Sequence, residues 1–259
     1  MTVGEALAAT GIDPRDARLL LCEATALPAS AIVAFPERTL EAQAVQRFQA
    51  FVKRRTRGEP VAYILGRKEF YGLELAVTPA VLIPRPETEL LVDLALQRRP
   101  ASVLDLGTGS GALALAIKRH LPQARVLAVD ASDAALEVGR SNAAALSLQV
   151  EFLQGGWMEG LQERFELIVA NPPYVAEGDP RLAGLAFEPR AALVSGADGM
   201  DAIREIVREA PRCLEAGGWL LLEHGQGQDV GVRGQMGDFR EVQSWPDLAG
   251  ILRVTGGRL

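Results

Sequence analysis

Cysteine is nearly absent: Cys22 and Cys213 are the only two in 259 residues, and they lie far apart inside helical patterns. That excludes a disulfide framework and any thiolate metal spacing. Histidine is as scarce, with His120 and His224 standing alone, so no metal site is expected. Lysine occurs only at Lys53, Lys68 and Lys118, and the net charge is −6. A nucleic-acid partner wants a basic face, so none is expected. No apolar run approaches the ~18 residues of a membrane span. The opening MTVGEALAATGIDPRD lacks the basic flank and apolar core of a signal peptide. A cytoplasmic protein, monomeric and without a metal, is the expectation.

What is present is ordinary globular material, 48% hydrophobic and 23% charged, arranged in three textures. Residues 1–57 carry apolar positions at three-to-four spacing, which predicts a small helical bundle. Asp13 with Pro14 starts one helix there, and Gly58 stops the last. Residues 58–84 are rich in Val, Ile, Tyr and Phe and are broken by Gly66 and Gly72. A β-hairpin linker is predicted over 60–83. From residue 85 to 259, a helix opening at Pro86 is followed by alternating strands and helices. That alternation predicts a mostly parallel sheet with helices on both faces. Ligands of such sheets sit at the carboxyl ends of the strands.

Three motifs fall at strand ends. In VLDLGTGSGALAL a strand runs through Asp105 into a turn of Gly107, Thr108, Gly109, Ser110 and Gly111. Glycines there let backbone N–H groups approach a ligand without Cβ collision, at a helix N-terminus that favours negative charge. Asp130 ends the next strand, where a carboxylate can accept ribose hydroxyls; its plainer role would be to cap the following helix. A nucleoside-bearing cofactor is expected, and both NAD and S-adenosylmethionine meet these two motifs.

The third motif is NPPY. The apolar run Leu167–Ala170 ends at Asn171, and two prolines make a continuing strand impossible. Pro173 holds Pro172 extended, which fixes the Pro172 carbonyl. That carbonyl and the Asn171 oxygen can both accept from one planar NH₂ group. Tyr174 offers a ring to pack on a planar substrate. Such acceptors orient a poorly nucleophilic nitrogen toward a methyl donor. A hydride-transfer enzyme has no use for them.

The combination resembles class I S-adenosylmethionine-dependent methyltransferases acting on planar NH₂ groups. With GEPVAYILGRKEFYGLELAVTPAVLIPRPETELLV, FEPRAAL, LLLEHG and DLAGILRV it is most similar to the release factor glutamine methyltransferases, the PrmC or HemK family. The resemblance implies an N-terminal helical substrate-docking domain (1–57), a hairpin linker (58–84) and a seven-stranded Rossmann-like methyltransferase domain (85–259). It implies N5-methylation of the glutamine in the GGQ loop of peptide chain release factors. By position, Gly107–Gly111 would lie along the methionine part of S-adenosylmethionine, Asp130 at its ribose and Trp157 at its adenine. Asn171 would adjoin the cofactor. Asn171, Pro172, Pro173 and Tyr174 would grip the glutamine amide, with Asn171, Pro172 and Tyr174 carrying the catalysis.

Arg85 and Glu87 would lie beside the active site without a chemical step. Glu188 and Arg190 fall on the long segment 175–199, whose lack of regular pattern suggests a functional cover. His224 reads as structural. No general base is expected, because in-line positioning against a good leaving group carries the reaction. The rival readings are an adenine-N6 or other exocyclic-amine nucleic-acid methyltransferase, an NAD-dependent oxidoreductase and a non-catalytic cofactor sensor.

Overall fold

A computed structural model describes all 259 residues, which divide into two compact units, Met1–Arg67 and Lys68–Leu259. The first unit is helical: α1 (Val3–Ala8), α2 (Pro14–Thr25), α3 (Ala29–Ala34), α4 (Ala42–Thr56) and α5 (Val61–Leu65). Asp13 caps α2 by accepting from the Arg15 and Asp16 amides, with Pro14 in the first turn. Leu20, Leu21, Ile32, Phe48 and Ile64 form its core. An Arg55–Asp16 ion pair at 2.7 Å joins α4 to α2.

Residues 61–65 correct the expected hairpin. VAYIL is β-rich in composition, yet it forms α5, which starts after Pro60 and stops at left-handed Gly66. Burial of Tyr63 and Ile64 overrides local preference here. The hairpin itself is short, β1 (Arg67–Phe70) and β2 (Leu73–Ala76). Tyr71 and Gly72 turn it with φ of 50° and 76°, the pairing of a type I′ turn.

The second unit continues through a 3₁₀ turn at Pro86–Thr88 into α6 (Glu89–Arg98), then β3 (Ser102–Leu106), α7 (Ala112–His120), β4 (Arg125–Asp130), α8 (Asp133–Leu146), β5 (Glu151–Gln154) and β6 (Phe165–Ala170). It ends with α9 (Asp201–Cys213), β7 (Leu214–Glu223), α10 (Asp229–Gln235), β8 (Arg240–Pro246) and β9 (Leu252–Arg258). Helix α10, inside the glycine-rich stretch after β7, has no periodicity to announce it. The strands make one seven-stranded sheet in the order β5-β4-β3-β6-β7-β9-β8. Pairs among β3, β4, β5, β6 and β7 are parallel, and β9 is antiparallel to β7 and β8. The Rossmann-like sheet is therefore present. No helix is long and apolar enough to cross a membrane.

Strand alternation divides the core between the two faces. Val103, Leu167, Val169 and Leu221 pack with α6 and α7, whereas Leu104, Leu106, Ile168, Leu220 and Leu222 pack with α9 and α10. Buried Asn142 of α8 binds the hairpin end to the glycine turn. It accepts from Ala76 N at 2.8 Å and donates to Ala76 O at 3.0 Å and Ser110 O at 2.9 Å. Removing it strands three backbone groups with no nearby replacement. Asn142→Ala should cost about 2–4 kcal/mol, read as a lower denaturant midpoint; a loss below about 0.5 kcal/mol would show that water replaces the amide.

Candidate active site

Two cavities open at the carboxyl ends of the parallel strands. The first, of about 350 Å³, is lined by the turn Gly107–Ser110 and by Asp105, Asp130, Gly155, Gly156, Trp157, Thr88, Asn171 and Pro173. The second, of about 330 Å³, is lined by Arg85, Asn171, Tyr174, Arg253 and residues of segment 175–198. Leu82, Asn171 and Ala192 line both.

The turn is held from beneath. Gly107 N and Thr108 N donate to Val129 O at 2.8 and 3.0 Å, and Gly111 N closes on Thr108 O at 2.9 Å. Gly107 has φ +69°, and a Cβ there would stand 3.3 Å from the Trp157 ring, so the glycine and the tryptophan form one wall. Asp130 adjoins them. Its Oδ2 accepts from Gly109 N at 2.8 Å and its Oδ1 from Ser132 N at 2.9 Å. It does not cap α8, a task Ser132 performs by accepting from Ala135 N. Each Asp130 oxygen keeps a lone pair for a hydroxyl ligand.

Asp105 is a further polar group of this cavity that motif reading passed over. It is fully buried. Oδ2 accepts from Thr108 Oγ1 at 2.6 Å and from Ala114 N at 3.2 Å, while Oδ1 has no partner. Burial pushes its pKa up to about 7, against the pull of the Thr108 and Ala114 bonds. The signal was in the sequence: a carboxylate inside an otherwise apolar central strand is costly unless something meets it.

At the end of β6, the Asn171 Nδ2 donates to Thr88 Oγ1 at 3.1 Å, and Oδ1 is buried without a partner. Pro173 lines the first cavity and Tyr174 the second, whereas Pro172 is buried and lines neither. The Tyr174 hydroxyl donates to Glu223 Oε1 at 3.2 Å. Burial, and then the nearby Glu223 charge, push the Tyr174 phenol up. Glu223 itself is 1% exposed at the end of β7, and burial raises its pKa to about 7. The run GWLLLE carries the same signal as Asp105, a charge closing an apolar strand.

Segment 175–199 contributes walls to both cavities. It contains 3₁₀ turns at Pro180–Leu185 and Arg190–Ala192 and little else regular. Glu188 clasps it down: Oε2 accepts from Ile83 N at 3.1 Å, and Oε1 pairs with the Arg85 guanidinium. Gly199, at φ +78°, lets the returning chain pass so close that a Cβ would meet Tyr174 O at 2.3 Å. Arg190 is exposed and lines neither cavity. His224 is spent on structure, with Nδ1 at 3.0 Å from Gly225 O and Nε2 at 2.9 Å from Thr255 Oγ1. Since a carbonyl only accepts, Nδ1 carries a proton, and burial lowers the ring's pKa, which favours the neutral form whose Nε2 takes the Thr255 hydroxyl.

Comparison with known proteins adds the following. Residues 3–66 match the family described as PrmC N-terminal domain, and residues 86–186 match Methyltransferase small domain. The release factor glutamine methyltransferase of Vibrio cholerae is 44% identical over 253 residues, covering 94% of this chain and 88% of its own. The protein of that name from Burkholderia pseudomallei is 45% identical, covering 100% of this chain and 96% of its own. Among solved structures, a methyltransferase from Pyrococcus furiosus superposes with a TM-score of 0.58 at 18% identity, over 72% of this chain and 89% of that one.

The buried acids make a stability prediction. Asp105 has an ordinary value of 3.8 and a folded value of about 7, so between those the folded state binds more protons than the unfolded. Stability attributable to Asp105 therefore falls as pH rises through that window. Asp105→Asn removes the effect, so its stability relative to wild type should grow by roughly 2 kcal/mol between about pH 5 and about pH 7. Paired thermal melts without ligand check this, and a pH-independent difference would refute it.

Proposed function

The chain belongs to the release factor glutamine methyltransferase family, and on that premise we propose that it transfers a methyl group from S-adenosylmethionine to the side-chain nitrogen of the glutamine in the GGQ loop of peptide chain release factors. The observation that carries the site assignment is the unpartnered, buried Asn171 Oδ1 on the wall shared by two cavities.

The first cavity suits S-adenosylmethionine. Its volume falls in the range of small-ligand sites, the glycine turn admits close approach of a ligand, and Asp130 has acceptor capacity for ribose hydroxyls. Trp157 offers an aromatic face for adenine. The lone Asp105 Oδ1 supports the fit further, because a cationic donor or a water held by it would complete that oxygen. When bound, the donor supplies a methyl group on a sulfonium, which leaves as S-adenosylhomocysteine once nitrogen takes the methyl.

The residues of this chain do the positioning. Asn171 Oδ1 accepts one N–H of the glutamine amide, and the carbonyl of buried Pro172, on the peptide that joins it to cavity-lining Pro173, accepts the other. The amide lone pair is delocalised in the free substrate. Two acceptors on its hydrogens favour the pyramidal nitrogen of the transition state and hold it in line. The Tyr174 ring packs on the amide plane. The surplus proton departs to solvent from a strongly acidic product cation, so no base is needed. The second cavity takes the glutamine-bearing loop, with segment 175–199 over it. Residues 1–57 dock the rest of the release factor, and 58–84 link them to the methyltransferase domain. The acidic chain suits a protein partner better than nucleic acid, and the cytoplasm is the site of such a reaction.

Labelled methyl transfer tests this. Wild-type release factor should take the label, while its GGQ Gln→Ala variant and a duplex DNA should not. Label on DNA would overturn the substrate assignment. Asn171→Ala should lower turnover roughly 100-fold or more, while donor affinity stays within about threefold. Turnover within a few-fold of wild type would sink the acceptor role.

A further inference from the structure

An asparagine amide can sit in either of two orientations that differ little in shape. Only one of them points oxygen at the substrate, so something must choose between them. The sheet register places a candidate beside Asn171. Ala170 of β6 pairs with Leu222 of β7, so Asn171 and Glu223 come next, side by side at the strand ends. Strand alternation puts both on the face occupied by Leu167, Val169, Leu221 and the residues of α6. Thr88, on the turn entering α6, meets them there. Thr88 is 4% exposed and Glu223 1%.

The polar groups here leave little freedom. Glu223 Oε1 accepts from the Tyr174 hydroxyl, Oε2 is buried with no hydrogen bond of its own, and the Thr88 hydroxyl is the neighbouring donor that could serve it. A hydroxyl has one proton. If an ionised carboxylate takes it, the Thr88 oxygen can only accept from its other neighbour. Asn171 must then present its NH₂ group, as it does at 3.1 Å. Its oxygen is left turned away and unpartnered.

We propose that Glu223 is a positioning residue for methyl transfer: by taking the Thr88 proton it makes Thr88 hold Asn171 through nitrogen, which presents the Asn171 oxygen to the substrate amide. This rests on the reading of Asn171 as the acceptor.

Protonation of Glu223 reverses the chain. A neutral carboxyl can donate to Thr88, which frees the Thr88 proton for Asn171 Oδ1 and turns the amide. The groups facing Glu223 are the Thr88 and Tyr174 hydroxyls, Arg253 of β9, which favours the ionised form, and Glu87, which opposes it. Burial outweighs them and brings its pKa to about 7, so the reversal falls within the working range of pH.

The test uses full-length Glu223→Gln, Thr88→Val, Thr88→Ser and Asn171→Ala in methylation of purified release factor between about pH 6 and about pH 8.5. Donor affinity and melting temperature are measured alongside. Thr88→Val and Glu223→Gln should lower kcat about tenfold or more, with donor affinity and KM for release factor within about threefold. Thr88→Ser should restore the rate. Wild-type kcat should fall as pH drops below about 7, and that limb should be missing in Glu223→Gln. A purely structural Glu223 would lower melting temperature without altering the pH limb, and that result would overturn the proposal. If Asn171→Ala is inactive while Glu223→Gln and Thr88→Val keep full kcat, the relay alone falls. If Asn171→Ala keeps its rate, the acceptor reading falls and the relay with it.

Discussion

The parallel register of β3, β6 and β7 is the constraint on which the rest of the catalytic unit depends. Asp105 pairs with Val169, and Ala170 pairs with both Leu106 and Leu222. That alignment brings Asp105, Asn171 and Glu223 to one end and one face of the sheet. A slip of a single residue would turn each of them into the opposite core. The apolar residues behind them hold the slip in check, since Val103, Leu167, Val169 and Leu221 would all move to the wrong face. Chemistry and packing are therefore specified by the same alternation.

Much of this architecture is legible without coordinates. Short apolar runs alternating with helical periodicity place the strands of the catalytic unit, and glycines and prolines mark where they stop. Gly107–Ser110, Asp130, Trp157 and Asn171 sit together around the first cavity, as strand-end logic expects, whereas Gly111 caps α7 outside its lining. The one misreading and the one omission have a common cause. Residues 61–65 look like strand because Val, Tyr and Ile favour it, and only burial against the helical unit makes them α5. Helix α10 hides among glycines and is held by burial of Val232. In both, tertiary contact decides what local preference leaves open or opposes.

The ties that shape the site were the least visible, because they join residues distant in sequence. Glu188 reaches Ile83 and Arg85, and Asn142 reaches Ala76 and Ser110. No spacing rule anticipates such bonds. Asp105 and Glu223 differ: each is a carboxylate in a run that otherwise belongs to the interior. Treating a charged residue inside an apolar strand as a question, rather than as the last residue of the strand, would have singled both out.

The wall shared by the two cavities has a consequence for how their occupants affect one another. Leu82, Asn171 and Ala192 face both spaces, so ordering that wall for one ligand orders it for the other. Such a coupling is reciprocal by thermodynamic necessity. With the occupants proposed above, whatever factor the methyl donor contributes to affinity for the protein substrate, the substrate returns to the donor.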